Sequence, residues 1–236
     1  MALPQIATPE YTCIVPSTGE EIKFRPFLVK EEKILLMALE SDELKDTILS
    51  TKQIISNCVL TEGFDIESLA TFDYEFLFLQ LRARSVGEVI ELKIRHSDSN
   101  SECNHSTDVT INIDDITFNG EMPERNIMIT DEVGIRMKLV GIDAAADVDF
   151  SKTDSIFKFV ASNVEYIFDK DEVYSDFTQN EIEEWIENLN QKQLETIMNW
   201  FQKLPKLTHT VKWTCPECKK KDSMTLEGLD AFFTSG

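Results

Sequence analysis

Two periodicities run along this chain, one of two residues and one close to four, and they mark out where strands and helices should fall. Toward the C-terminal end, Leu207, Val211 and Trp213 alternate with Thr208, Thr210, Lys212 and Thr214, and Met224 and Leu226 resume the alternation after a run of lysines. Such alternation predicts a half-buried β-hairpin. Residues 86–95 and 107–113 form a second pair, with Val109, Ile111 and Ile113 on one face. Residues 1–27 read as extended, with a tight hairpin turn at Pro16-Ser17-Thr18-Gly19-Glu20. Residues 125–129 and 134–140 predict a further hairpin. Helical spacing governs the rest. It appears at residues 29–39, at 44–60 through Leu44, Ile48, Ile55, Cys58 and Val59, and at 65–82 through Leu69, Phe72, Phe76, Leu77 and Leu79. A later block carries Ile156, Phe157, Val160, Val164, Ile167 and Phe168 as one apolar stripe along one helix. There Thr178-Gln179-Asn180-Glu181 has capping-box spacing before a second helix, and a third runs to Pro205. The aromatic run Phe72, Tyr74, Phe76 and Phe78 reads as a buried helix face rather than a partner groove.

The pattern therefore predicts an α+β fold: two helical blocks with β-hairpins, including a split zinc-ribbon-like pair of hairpins. Its segments are an N-terminal extended segment and hairpin (1–28), a first helical block (29–84), a first knuckle hairpin (85–118), an inserted β-hairpin (119–146), a second helical block (147–205), and a second knuckle hairpin with the C-terminus (206–236). They read together as one compact domain.

The chemistry that stands out is Cys215-Pro216-Glu217-Cys218 at the tip of the last hairpin. A C-x-x-C between strands is the form of a metal-binding turn, and it supplies two of the roughly four ligands that a structural zinc takes. A thioredoxin-like redox motif would instead open a helix. The other half-site is expected at Cys103 and His105, because Val109 follows Cys103 at the offset by which Met224 follows Cys218. On that register Asn100 stands where Cys215 stands, so the first knuckle lacks a cysteine, and His105, with His96 as the alternative, supplies the missing nitrogen. The candidate site is Cys103, His105, Cys215 and Cys218, holding a structural zinc between two hairpin tips. The competing reading leaves Cys103 as a free thiol and Cys215 with Cys218 as a redox-sensitive pair. Cys13 and Cys58 read as packing residues, and His209 as a sheet residue on the face of Val211 and Trp213.

Composition narrows the function classes. In 236 residues there are 23 Lys and Arg against 43 Asp and Glu, a formal charge of -20. That balance opposes a phosphate backbone, and the one dense basic cluster, Lys219-Lys220-Lys221, reads as offsetting thiolate charge or facing solvent. Five cysteines, an odd number, fit a reducing compartment better than a disulfide framework. The start lacks the basic flank and apolar core of a signal peptide, and no apolar run approaches a membrane span, so a soluble protein made in the cytoplasm is expected. Catalytic signatures such as a phosphate-cradling glycine loop, a G-x-S-x-G elbow or an H-E-x-x-H pair are absent from the sequence. The acidic residues Asp169, Asp171, Glu172, Asp176, Glu181, Glu183 and Glu184 lack the register of a calcium loop, and read as a solvated surface or a docking face for a basic partner.

Three segments carry a resemblance: Arg25-Pro26-Phe27-Leu28-Val29-Lys30-Glu31-Glu32-Lys33-Ile34-Leu35-Leu36, Ser85-Val86-Gly87-Glu88-Val89, and Cys215-Pro216-Glu217-Cys218. Together they resemble the baseplate hub subunits and hub assembly proteins of T-even-type contractile phages. The resemblance implies a non-enzymatic structural or assembly component of the tail baseplate, assembled in the host cytoplasm and located in the virion. Its partners would be other baseplate and tail proteins, with no nucleic acid, membrane or small-molecule substrate. Two rival classes are a transient assembly chaperone absent from the mature virion and a zinc-ribbon adaptor for nucleic acid or transcription.

Overall fold

The computed structural model describes residues 6–40, 44–95, 103, 105–120, 122, 124–149 and 151–231. In chain order the elements are β1 (Tyr11–Ile14), β2 (Glu21–Phe24), α1 (Val29–Leu39), α2 (Leu44–Cys58), α3 (Thr71–Ser85), β3 (Val89–Ile94), β4 (Thr107–Asn112) and β5 (Thr117–Asn119). There follow β6 (Asn126–Met128), β7 (Gly134–Met137), α4 (Ile142–Asp147), α5 (Thr153–Ser162), β8 (Val164–Phe168) and β9 (Val173–Tyr174). The chain ends with α6 (Gln179–Glu187), α7 (Gln191–Lys203), β10 (Lys206–Thr214), β11 (Lys221–Glu227) and α8 (Gly228–Ala231). The fold is α+β, with small antiparallel sheets ordered β1-β2, β3-β4, β11-β10-β5 and β6-β7-β8-β9.

The chain divides into two compact units: one of Met1–Glu67, Phe72–Asn119 and Lys206–Gly236, the other of Ser68–Thr71 and Gly120–Pro205. In the first unit, β3 alternates strictly, burying Ile90, Leu92 and Ile94 while Val89, Glu91 and Lys93 face outward. Those three side chains join Ile111 from β4, Leu79 from α3, and Leu207, Val211 and Trp213 from β10 in one cluster. Each such aliphatic side chain gains roughly 1.5–3 kcal/mol from leaving water, which is why the alternation fixes the register of these hairpins. Helix α3 buries Phe72, Tyr74, Leu77, Phe78, Leu79 and Leu81, so it is apolar around much of its circumference, as a central helix must be. Phe76, half-buried, packs its ring 5.7 Å from Phe118. Cys58 is fully buried and Cys13 half-buried, and burial pushes both thiols up to about 11.

Arg25 and Glu31 anchor the start of α1. The Arg25 guanidinium meets the fully buried Glu31 carboxylate at 3.0 Å and donates to the Asn57 carbonyl at 3.0 Å. The second Glu31 oxygen accepts the Leu28 N–H at 2.8 Å, satisfying a donor left open at the helix N-terminus. Burial raises the Glu31 carboxyl, but the hydrogen bonds and charge of Arg25 and the Leu28 N–H outweigh it and hold the group below its ordinary range.

In the second unit the sheet β6-β7-β8-β9 packs with α5, α6 and α7 around Ile135, Met137, Val160, Ile182, Ile197 and Trp200. Gly134 lies opposite Phe168 in the ladder, and a Cβ there would meet the Phe168 ring at 2.3 Å, so only glycine lets the ring lie across the strand. The capping box at Thr178 is present, with the Thr178 hydroxyl accepting the Glu181 N–H and Glu181 accepting the Thr178 N–H at 2.7 Å. The apolar stripe expected along one helix from Ile156 to Phe168 is divided. Helix α5 stops at Ser162, Asn163 caps it by donating its side-chain amide to the Phe159 carbonyl at 2.7 Å, and residues 164–168 form β8.

Candidate metal centre

The last hairpin places its C-x-x-C with local backbone chemistry. β10 and β11 pair from Thr208↔Glu227 to Thr214↔Lys221. At the tip, the Cys215 N–H reaches the Lys220 carbonyl at 2.9 Å, and the Lys219 N–H reaches the Cys215 carbonyl at 3.0 Å. Closing this turn puts Lys219 at φ 61°, a left-handed conformation that costs a residue with a Cβ about 1–2 kcal/mol. The Lys219 ammonium donates to the Pro216 carbonyl at 2.6 Å, across the same turn.

The turn brings Cys215, fully buried, and Cys218, exposed, to a common point, and Cys103 joins them from the segment between β3 and β4. All three Sγ atoms lie within 4.8 Å of one another, and those of Cys103 and Cys215 are 3.8 Å apart. Ligands at the Zn–S distance of about 2.3 Å in a tetrahedron stand roughly 3.8 Å apart, so the spacing fits thiolates around one cation. The three cysteines could therefore hold a metal ion. The His105 backbone N–H on the Cys103 sulfur favours its thiolate, but partial desolvation and the neighbouring Cys215 and Cys218 sulfurs raise the thiol above its usual value. Without a cation, three crowded thiolates repel; a divalent ion reverses that balance by displacing the protons.

His105 stands beside this cluster rather than in it. Its Nδ1 lies 3.2 Å from the Glu217 carboxylate, the residue between the two cysteines of the turn. His96 and Asn100 lie outside the described residues. His209 sits on β10, with Nδ1 3.1 Å from the Asp115 carbonyl, consistent with a sheet residue.

The tight turn expected between the first two strands has the same build as the cysteine turn, a likeness that reading cysteines alone does not show. At Val15-Pro16-Ser17-Thr18-Gly19-Glu20 the Val15 N–H reaches the Glu20 carbonyl at 2.9 Å, and the Gly19 N–H reaches the Val15 carbonyl at 2.8 Å. These are the two bonds of the Cys215–Lys220 turn, with Val15 buried in the place of Cys215 and Gly19 at φ 72° in the place of Lys219. Where a metal turn offers its amides to sulfur, here the Ser17 N–H donates to the buried Asp73 carboxylate at 2.9 Å. The sequence signal was the shared proline after the first position, at Pro16 and Pro216.

Residues 8–234 match the family model described as T4 bacteriophage base plate protein. Among curated proteins and among solved structures nothing matches. The match runs through both compact units and through Cys103, Cys215 and Cys218, and on it the chain belongs to the T4 bacteriophage base plate protein family.

Proposed function

We propose that this chain is a structural subunit of the hub of a contractile phage tail baseplate, working through contacts with other baseplate and tail proteins rather than by catalysis. Family membership over residues 8–234 is the observation that carries the baseplate role. The hub position rests on the resemblance of residues 25–36, 85–89 and 215–218. No helix among the described residues is long and apolar enough to cross a membrane, and the charge of -20 disfavours phosphate backbones as partners.

Within this subunit, Cys103, Cys215 and Cys218 bind one structural zinc, and His105 turns from Glu217 to complete a Cys3His set. Such a site joins the segment between β3 and β4 to the tip of β10–β11. Its binding free energy then becomes folding free energy.

Elemental analysis of freshly reduced protein tests the site. One zinc per chain, lost in Cys215→Ser and weakened in His105→Ala, is expected; no metal in the wild type removes it. Mass spectrometry of purified tails tests the role. Recovery of the chain in mature particles supports the structural subunit, and its absence assigns a transient assembly role instead.

A further inference from the structure

A groove of about 440 Å³ opens in the second unit between the β8–β9 hairpin and α6. Its floor is apolar, made by Ile167 and the buried Ile182, and its walls carry the rings of Tyr174, Phe177 and Trp185. Val133 and three carboxylates, Asp169, Asp176 and Glu181, complete the lining.

Two of these carboxylates are fixed in place as anions. Asp169 accepts the backbone N–H groups of Asp171 at 2.9 Å and Glu172 at 2.8 Å and the Tyr174 hydroxyl at 2.9 Å, which hold it below its usual range. Glu181 is held low by the backbone and hydroxyl of Thr178. Asp176 is exposed at the mouth. From Asp169 to Glu187 the sequence has eight carboxylates against one lysine, and that lysine, Lys170, is paired with Glu132 at 3.0 Å.

We propose that this groove is a docking site for an arginine side chain carried on an extended cationic segment of a neighbouring protein. Aromatic walls with carboxylates at the rim suit a guanidinium, which stacks on rings, accepts loss of its hydration more readily than an ammonium, and bonds carboxylates with its edge. A hydrated divalent ion would need a shell of oxygens that this apolar floor does not offer. The strand order ends at β9, where Val173 and Tyr174 are 62 % and 45 % exposed, so an extended segment can run along that edge while its side chain enters the groove. That the neighbour is a baseplate subunit rests on the function proposed above; the chemistry of the groove does not.

The test is fluorescence anisotropy of a labelled hexapeptide of alternating arginine and valine, set against the same peptide with citrulline for arginine, at low and moderate salt. The arginine peptide is expected to bind about tenfold more tightly, since the two differ by one charge at each such position. Asp176→Lys should weaken binding about tenfold and Asp176→Asn less, whereas Glu195→Lys, on α7 outside the groove, should leave it within about twofold. Equal binding of the two peptides, or equal loss from Asp176→Lys and Glu195→Lys, would overturn the proposal by making the attraction a diffuse surface effect. Recovery of the chain from purified tails is scored separately. Presence there with no arginine preference removes the groove and leaves the structural-subunit role; absence with the preference intact keeps the groove and assigns the chain a transient assembly role.

Discussion

Glu31 shows how one buried charge organises a helix start. Its carboxylate is fully buried, faces the nearly buried Arg25 and caps the Leu28 N–H, with the exposed Lys30 ammonium 3.3 Å away, so removing Glu31 leaves the Arg25 guanidinium without its carboxylate. Breaking a buried pair from one side costs about 3–5 kcal/mol, and we expect a loss of that order from Glu31→Ala in urea unfolding. The pair also gives the protein an acid limit. With the Glu31 carboxyl held below its ordinary range in the folded state, the unfolded chain binds the proton more readily in acid. The contribution is therefore complete above the ordinary Glu value of about 4.3 and is lost as pH falls through the lowered one. Unfolding curves between neutral pH and the acid limb should show a steep decline in the wild type and a flatter one in Glu31→Gln.

The turns offer a controlled comparison at the scale of elements. Gly19 and Lys219 occupy the same left-handed position of two turns with the same hydrogen bonds, at φ 72° and 61°. A Cβ on Gly19 would meet nothing within 4 Å, so Gly19→Ala should cost only the backbone strain, about 1 kcal/mol. Lys219→Gly should return a similar amount, less what the Lys219 bond to the Pro216 carbonyl contributes. Thermal unfolding of the two variants, each against wild type, checks the opposite signs. Elements of this kind were legible where one period dominated. The alternation of β3, β4, β10 and β11 and the capping box at Thr178 were there to be read. The break after Ser162 was not, because Val160, Val164, Ile167 and Phe168 satisfy a helical stripe as well as they satisfy a helix followed by a strand. What decides there is tertiary: the Lys138 N–H bonds the Asn163 carbonyl at 2.7 Å, and β7 pairs with β8. At the cysteine cluster, the C-x-x-C spacing gave the turn. The approach of Cys103, 112 residues from Cys215, depends on the packing of β3–β4 and β10 in one cluster. The contact of His105 with Glu217 left no pattern in the sequence at all.

For the whole molecule, the informative feature is how the chain leaves the first unit and comes back. Besides the short excursion at Ser68–Thr71, it leaves after β5 and returns at β10, and these strands pair with Asn119 opposite Lys206. The two ends of residues 120–205 thus hang from adjacent positions of one sheet, the geometry of an insertion into a pre-existing hairpin. Replacing 120–205 with a short turn should leave a folded first unit with the metal stoichiometry of the full protein, at lower stability because Thr71 loses its bond to the Val140 carbonyl. Circular dichroism with elemental analysis checks both parts. The separation of Cys103 from Cys215 also sets a clock. At roughly 5–20 residues per second, the 112 residues from Cys103 to Cys215 take on the order of ten seconds to add. Throughout that interval the earlier cysteine is made and its partners are not. Cluster closure is thus a late event of biosynthesis, and a chain terminated before Cys215 carries Cys103 without the two cysteines that it meets in the folded protein.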